Sequence, residues 1–194
     1  VCKDGVLLVA DKRIIDKLIV VSSVEKIFQV DEHVAAAASG IMSDARILIE
    51  KAQVMAQQHR VTYDAPMEPH ALVKEISNLK QAYTQYGGAR PFGVSLLFAG
   101  INDGPQLFLT DPTGIHWEYK ATAIGEFEDE LKEVLSKNYK ESMTINEAIK
   151  MTVNALKSVL GKEFNLDRLD GAYIHTSDKK FKRLTKEYIR KAIK

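Results

Sequence analysis

The 194 residues carry 27 lysines and arginines against 26 aspartates and glutamates, so nothing in the charge balance calls for nucleic acid or an anionic membrane. A chain of this length is most simply one domain with a sizeable core, and its single cysteine, Cys2, excludes an internal disulfide and cysteine-rich zinc sites, which suits a reducing cytoplasm. No apolar stretch approaches the roughly 20 residues that span a bilayer, and the first residues do not form a signal peptide, so a soluble protein is expected.

Gly5 to Asp11 reads as a buried strand, followed by a second strand around Leu18 to Val21. Lys26 to Val30 and Val34 to Ser39 pair as a hairpin around Asp31-Glu32-His33. The period then changes: from Ser43 to His59, Ala45, Leu48, Ile49, Ala52, Met55 and Ala56 recur at helical spacing, with Ser43 or Asp44 suited to the N-terminal cap. Tyr63 to Pro69 is a loop, and Pro69 to Tyr86 a second amphipathic helix carrying Leu72, Ile76, Leu79 and Tyr83. Val94 to Ala99, Gln106 to Thr110 and Ile115 to Tyr119 are short strands separated by Gly100-Ile101-Asn102-Asp103-Gly104-Pro105 and Asp111-Pro112-Thr113-Gly114, a three-stranded antiparallel meander. Phe127 to Tyr139 is a third helix and Thr144 to Leu160 a fourth, opened by Thr144 with Glu147 in a capping-box pattern. Asp170 to Thr176 and Phe181 to Leu184 are late strands, and Thr185 to Ile193 a terminal helix. This order fits an α+β fold, two antiparallel sheets stacked between two helical layers in a four-layer αββα sandwich.

Few residues announce chemistry. His33, His59, His70, His116 and His175 are scattered, with no carboxylate or cysteine at ligand spacing, so no metal and no cofactor is expected. Gly87-Gly88 lacks the lysine and serine of a phosphate loop and reads as a turn. Cys2, beside Lys3, Asp4 and Gly5, reads as a structural thiol. Asp11 and Arg13 read as an ion pair at a strand end. On the residues alone, Lys26 is a solvated lysine in a Glu25-Lys26 pair at a sheet edge.

Three blocks carry a family signature: Arg90-Pro91-Phe92-Gly93-Val94, Thr110-Asp111-Pro112-Thr113-Gly114, and Lys120-Ala121-Thr122-Ala123-Ile124-Gly125. With Ser22-Ser23-Val24-Glu25-Lys26-Ile27-Phe28, Ala38-Ser39-Gly40 before Asp44-Ala45-Arg46, and Ala56-Gln57-Gln58-His59-Arg60, the chain resembles the α subunits of the 20S proteasome, archaeal type, from residue 1 to about 190. The resemblance implies the αββα sandwich of N-terminal nucleophile hydrolases, and a single domain lacking the N-terminal gating segment and first helix. It implies a non-catalytic subunit of a threonine-type endopeptidase complex. Seven copies would form a cytoplasmic outer ring that gates the passage of unfolded protein substrates, stacks on β subunits and docks an ATP-dependent activator. Neither nucleic acid nor membrane is implied as a partner.

Lys26 would then face a pocket between neighbouring subunits and pair with the C-terminal carboxylate of an activator's tail, with Ile41 as an apolar wall. In a β subunit the corresponding lysine sits beside the nucleophile, with Asp11 and Asp167 or Asp170 completing the site. That alternative, a β-type threonine peptidase, needs a nucleophilic Thr upstream of Val1, because the mechanism uses a terminal hydroxyl and its own α-amino group. Glu126-Phe127 departs from the family's small residue and glycine after Gly125, and weakens the catalytic reading further.

Overall fold

The computed structural model describes every residue except Ile15, Lys17 and Lys194, and every side chain among these except that of Ser22. Two antiparallel sheets form. One holds β1 (Gly5–Asp11), β7 (Leu169–His175) and β8 (Phe181–Arg183) in the order β1-β7-β8; the other runs β2 (Ile27–Asp31), β3 (Val34–Gly40), β4 (Val94–Ile101), β5 (Pro105–Thr110) and β6 (His116–Glu118) in sequence order. The hairpin and the meander stand as the residues imply.

Strand parity builds the layers. Ala35 and Ala37 of β3 face the other sheet, and with Ile27, Leu97 and Leu107 of their own sheet they pack against its Val6, Leu8, Ala172 and Ile174. Ala36 and Ala38 face the opposite way, into a core closed by helices α1 (Met42–Tyr63) and α2 (Pro69–Tyr83), with Leu48, Ile49, Leu72 and Ile76 against Phe98 and Phe108. On the outer side of the smaller sheet, α3 (Glu128–Asn138), α4 (Ile145–Leu160) and α5 (Lys186–Ala192) supply Leu131, Ile149, Val153, Leu156 and Ile189. The result is the expected αββα sandwich. Four consecutive alanines at the centre of β3 let both neighbouring layers approach one strand closely.

Several expectations are corrected. Leu18 to Val21 is not a strand: Leu18 and Ile19 lie in a turn, Val21–Ser23 is a single 3₁₀ turn, and Leu18 is 91% exposed. Isoleucine and valine favour strands only where a sheet edge receives them, and here none does. The first long helix starts at Met42 and runs four residues beyond His59, to Tyr63. Neither Ser43 nor Asp44 caps it; Ile41 occupies the cap position, and Asp44 turns to Arg90 instead. The capping box at α4 is present in full, with Thr144 Oγ1 accepting from the Glu147 amide and the Glu147 carboxylate accepting from the Thr144 amide.

The signature glycines have steric reasons. Gly114, at φ +90°, packs so closely on α2 that a Cβ would stand 2.5 Å from the Ser77 carbonyl oxygen. At Gly93 a Cβ would meet Ile41 Cδ1 at 2.6 Å. Cys2 is buried, and burial pushes its thiol up to about 11, which keeps it protonated and inert at neutral pH.

Candidate functional site

The signature residues Asp44 and Arg90 to Gly93, 46 positions apart at the first pair, prove to be one unit. Arg90 donates to both Asp44 carboxylate oxygens, at 2.6 and 2.7 Å, and the Gly93 amide donates to Oδ2 at 2.8 Å. This fork ties the first turn of α1 to the entrance of β4, and the Arg90 guanidinium with the Gly93 amide holds the Asp44 carboxyl below the usual carboxylate range. Ile41 sits directly above this junction, donating its amide to the Gly93 carbonyl at 2.9 Å, with its side chain 44% exposed.

Lys26 precedes β2, and its carbonyl accepts from the Ala38 amide at 3.2 Å. Ile41 lies three residues beyond Ala38 along the β3 direction, about 10 Å away by strand rise. Lys26 is among the residues lining a cavity of about 530 Å³ between β1, the α3–α4 layer and residues 121 to 125, and Ile41 is not. The two predicted site residues are therefore neighbours on one end of the five-stranded sheet, without sharing a cavity within one chain.

Around Lys26 the charges are already matched. Arg168 Nε donates to Asp11 Oδ1 at 2.9 Å, with a second bond from Nη2 to Oδ2. Arg13, expected to pair with Asp11, instead reaches Glu126 at 2.6 Å. The Glu126 departure from the family pattern thus has a local partner. Asp170 is held by Lys12 at 3.6 Å and Arg183 at 3.2 Å, and it accepts weakly from the Lys26 amide at 3.4 Å. Glu25, the sequence neighbour expected to pair with Lys26, takes Arg183 at 2.9 Å. Asp167 lies on the surface with Lys186. Both carboxylates that the catalytic alternative would use beside Lys26, Asp11 and Asp170, are thus committed to cations. Among the described residues, the Lys26 ammonium alone in this group has no carboxylate within ion-pair distance.

The model of the family described as "Proteasome subunit" matches residues 1–174. The chain is 47% identical over 192 residues to a protein named proteasome subunit alpha from Thermococcus sibiricus, covering 99% of this chain and 74% of that one. It belongs to the proteasome subunit family, as an α subunit. Relatives of the same name from Methanocaldococcus jannaschii, 46% identical over 193 residues, and Archaeoglobus fulgidus, 42% identical over 189 residues, cover 99% and 97% of this chain and 74% and 77% of their own lengths. The α type is the non-catalytic class of proteasome subunit, so these relatives set aside the β-type peptidase alternative. As an α subunit of the 20S core particle, the chain assembles with other subunits. Among the described residues, no helix is long and apolar enough to cross a membrane.

Sequence reasoning missed Lys80. It is completely buried, at 0% exposure, with Nζ donating to the Thr110 carbonyl at 3.1 Å and lying 3.5 Å from Thr110 Oγ1, and with no carboxylate in ion-pair range among the described residues. Burial lowers its pKa to about 8, against a smaller opposing pull from Asp111. The signal was available: Leu72, Val73, Ile76, Ser77 and Lys80 fall on one face of α2 by helical spacing.

Proposed function

We propose that this α subunit forms a seven-membered outer ring that stacks on β subunits, gates the passage of unfolded substrates in the cytoplasm, and receives an ATP-dependent activator at Lys26 and Ile41. The observation that carries the docking role is the unmatched Lys26 ammonium in a surround where Lys12, Arg13, Arg168 and Arg183 each hold a carboxylate. An amine left available among satisfied charges suits a carboxylate that arrives from a partner. Exposed Ile41 supplies an apolar wall nearby, locked in place by the Asp44–Arg90 fork beneath it.

Residues 1–194 make one α-type domain in this reading, and the gating segment and first helix lie outside them. The 22-residue helix α1 would meet the β ring: its outward side carries Ile47, Val54 and Val61 at seven-residue intervals, all substantially exposed in the single chain. Native mass spectrometry of the chain, alone and with a β-type partner, tests this. The expected species are a heptamer and a complex of α with β rings; a chain that stays monomeric in both samples overturns the ring assignment.

A further inference from the structure

Aspartate is followed by glycine at three places in the chain: Asp4-Gly5, Asp103-Gly104 and Asp170-Gly171. This pair of residues has a chemistry of its own, because the glycine nitrogen can reach the aspartate's side-chain carboxyl carbon with no side chain in its way. In a folded protein the reaction needs a carboxyl that is not engaged, an amide that is not donating, and a backbone free to rotate. Two of the three pairs are held. Asp4 Oδ1 accepts from the Ile145 amide at 2.9 Å, and the Gly5 amide donates to the Cys2 carbonyl at 3.3 Å. Gly5 also packs so tightly that a Cβ there would stand 2.1 Å from the Ile174 carbonyl oxygen. Asp170 is gripped by Lys12 and Arg183, and Gly171 is buried in the ladder opposite Val9. Either backbone can rotate only if the smaller sheet opens.

Asp103-Gly104 is different. It forms the tip of the turn between β4 and β5, just beyond the last rung, Ile101 with Pro105. The base of the turn is fixed: the Asn102 amide donates to the Gly104 carbonyl at 3.1 Å, and Lys179 Nζ donates to the Asn102 carbonyl at 2.8 Å. At the tip, among the described residues, the Asp103 carboxylate makes no hydrogen bond or ion pair, and the Gly104 amide donates to nothing. Asp103 is exposed, and a Cβ on Gly104 would meet nothing within 4 Å.

We propose that Asp103 is a site of spontaneous modification, where the chain converts aspartate to isoaspartate through attack by its own Gly104 amide. The Gly104 nitrogen bonds to the Asp103 side-chain carboxyl carbon; its proton and the carboxyl hydroxyl leave together as water, closing a five-membered imide. Water then adds back. Breaking the bond from nitrogen to the side-chain carbon restores aspartate, whereas breaking the bond to the main-chain carbon routes the chain through the side chain and frees the α-carboxylate. No electrons change hands, and the water released in the first step balances the water taken up in the second. The product carries one more carbon in the main chain of a turn whose length the Ile101–Pro105 rung sets, so this end of the hairpin loosens. It is the end of the sheet remote from Ile41 and Lys26, so activator docking is untouched.

The test is to age the purified whole chain in warm neutral buffer and locate isoaspartate by peptide mapping with electron-transfer mass spectrometry. Isoaspartate is expected to accumulate at residue 103 roughly tenfold or more ahead of residues 4 and 170, where a local opening must come first. Ageing the same chain in urea removes that protection, and residues 4 and 170 should then draw level. Gly104→Ala should slow the reaction at Asp103 about tenfold in the folded chain, because a Cβ beside the attacking nitrogen hinders its approach. Equal accumulation at all three sites in the folded chain, accumulation at none of them, or reaction at residue 103 in urea alone overturns the proposal.

Discussion

Replacing Lys26 by alanine reduces activator-stimulated peptide hydrolysis by the assembled particle to its unstimulated level, while ring assembly and unstimulated hydrolysis stay as they are. The ammonium makes no internal ion pair among the described residues, so its removal leaves no buried charge behind and the fold has little to lose. An activator carboxylate that depends on it loses a charge-assisted hydrogen bond in a part-buried setting, where truncation of one partner costs about 2–5 kcal/mol, or roughly 30- to several-thousand-fold in affinity. Arginine at the same position should restore part of the stimulation, since it keeps the charge with different geometry. Stimulation that survives Lys26→Ala unchanged would remove Lys26 from the docking site, and a loss of unstimulated hydrolysis would point to assembly instead.

Lys80→Met stabilises the protein at pH 7. The lysine folds with a pKa near 8 against 10.5 for an ordinary lysine, so the unfolded chain binds its proton more tightly than the native one. Stability contributed by this site is therefore complete above about pH 10.5, falls as pH drops towards 8, and below 8 is lower by about 3 kcal/mol. Methionine replaces the apolar stem without the terminal ammonium and carries no charge to desolvate, but it surrenders the bonds to Thr110, so a net gain of about 1–2 kcal/mol is expected, a rise in Tm of several degrees. The advantage of the variant over the parent, measured by urea unfolding at pH 7, 8, 9 and 10, should fall steadily above pH 8, vanish near pH 9 and reverse by pH 10. A difference that does not change with pH would show that the native state keeps Lys80 charged at no cost.

Elements whose pattern carries its own partner were legible in the sequence. The meander from Val94 to Glu118 needs only the neighbouring strand and the turn between, and both are written in adjacent residues. Helix α4 announces its start through Thr144 and Glu147, which satisfy each other within one turn. What the sequence did not disclose are pairings across long separations. Asp44 looks like a cap residue until Arg90 and Gly93 arrive from 46 to 49 positions away and outcompete the local amides. Arg13 is the obvious partner of Asp11 by proximity, yet Arg168 reaches that carboxylate from the turn before β7, and Glu126 takes Arg13. The same reason left Lys26 open between three roles, because its character depends on which neighbouring acids are already taken. The strand expected over Leu18 to Val21 rested on propensity alone, and propensity does not create a sheet edge.

The two sheets also differ in how they can come into being. Every pairing in the five-stranded sheet except β3 with β4 joins consecutive segments by a short turn, and that one spans only two helices. The pairing of β1 with β7 joins Gly5 to His175, nearly the whole chain, and closes a loop whose entropic cost must be met before any of its contacts form. The five-stranded half can therefore organise early, whereas β1 must wait until β7 is available. At about 5–20 residues per second of synthesis, that wait is on the order of 10–30 s. Through that interval the edge of β1 that β7 will cover has no partner, which makes this strand a stretch of the chain in need of protection from aggregation while the ribosome is still at work.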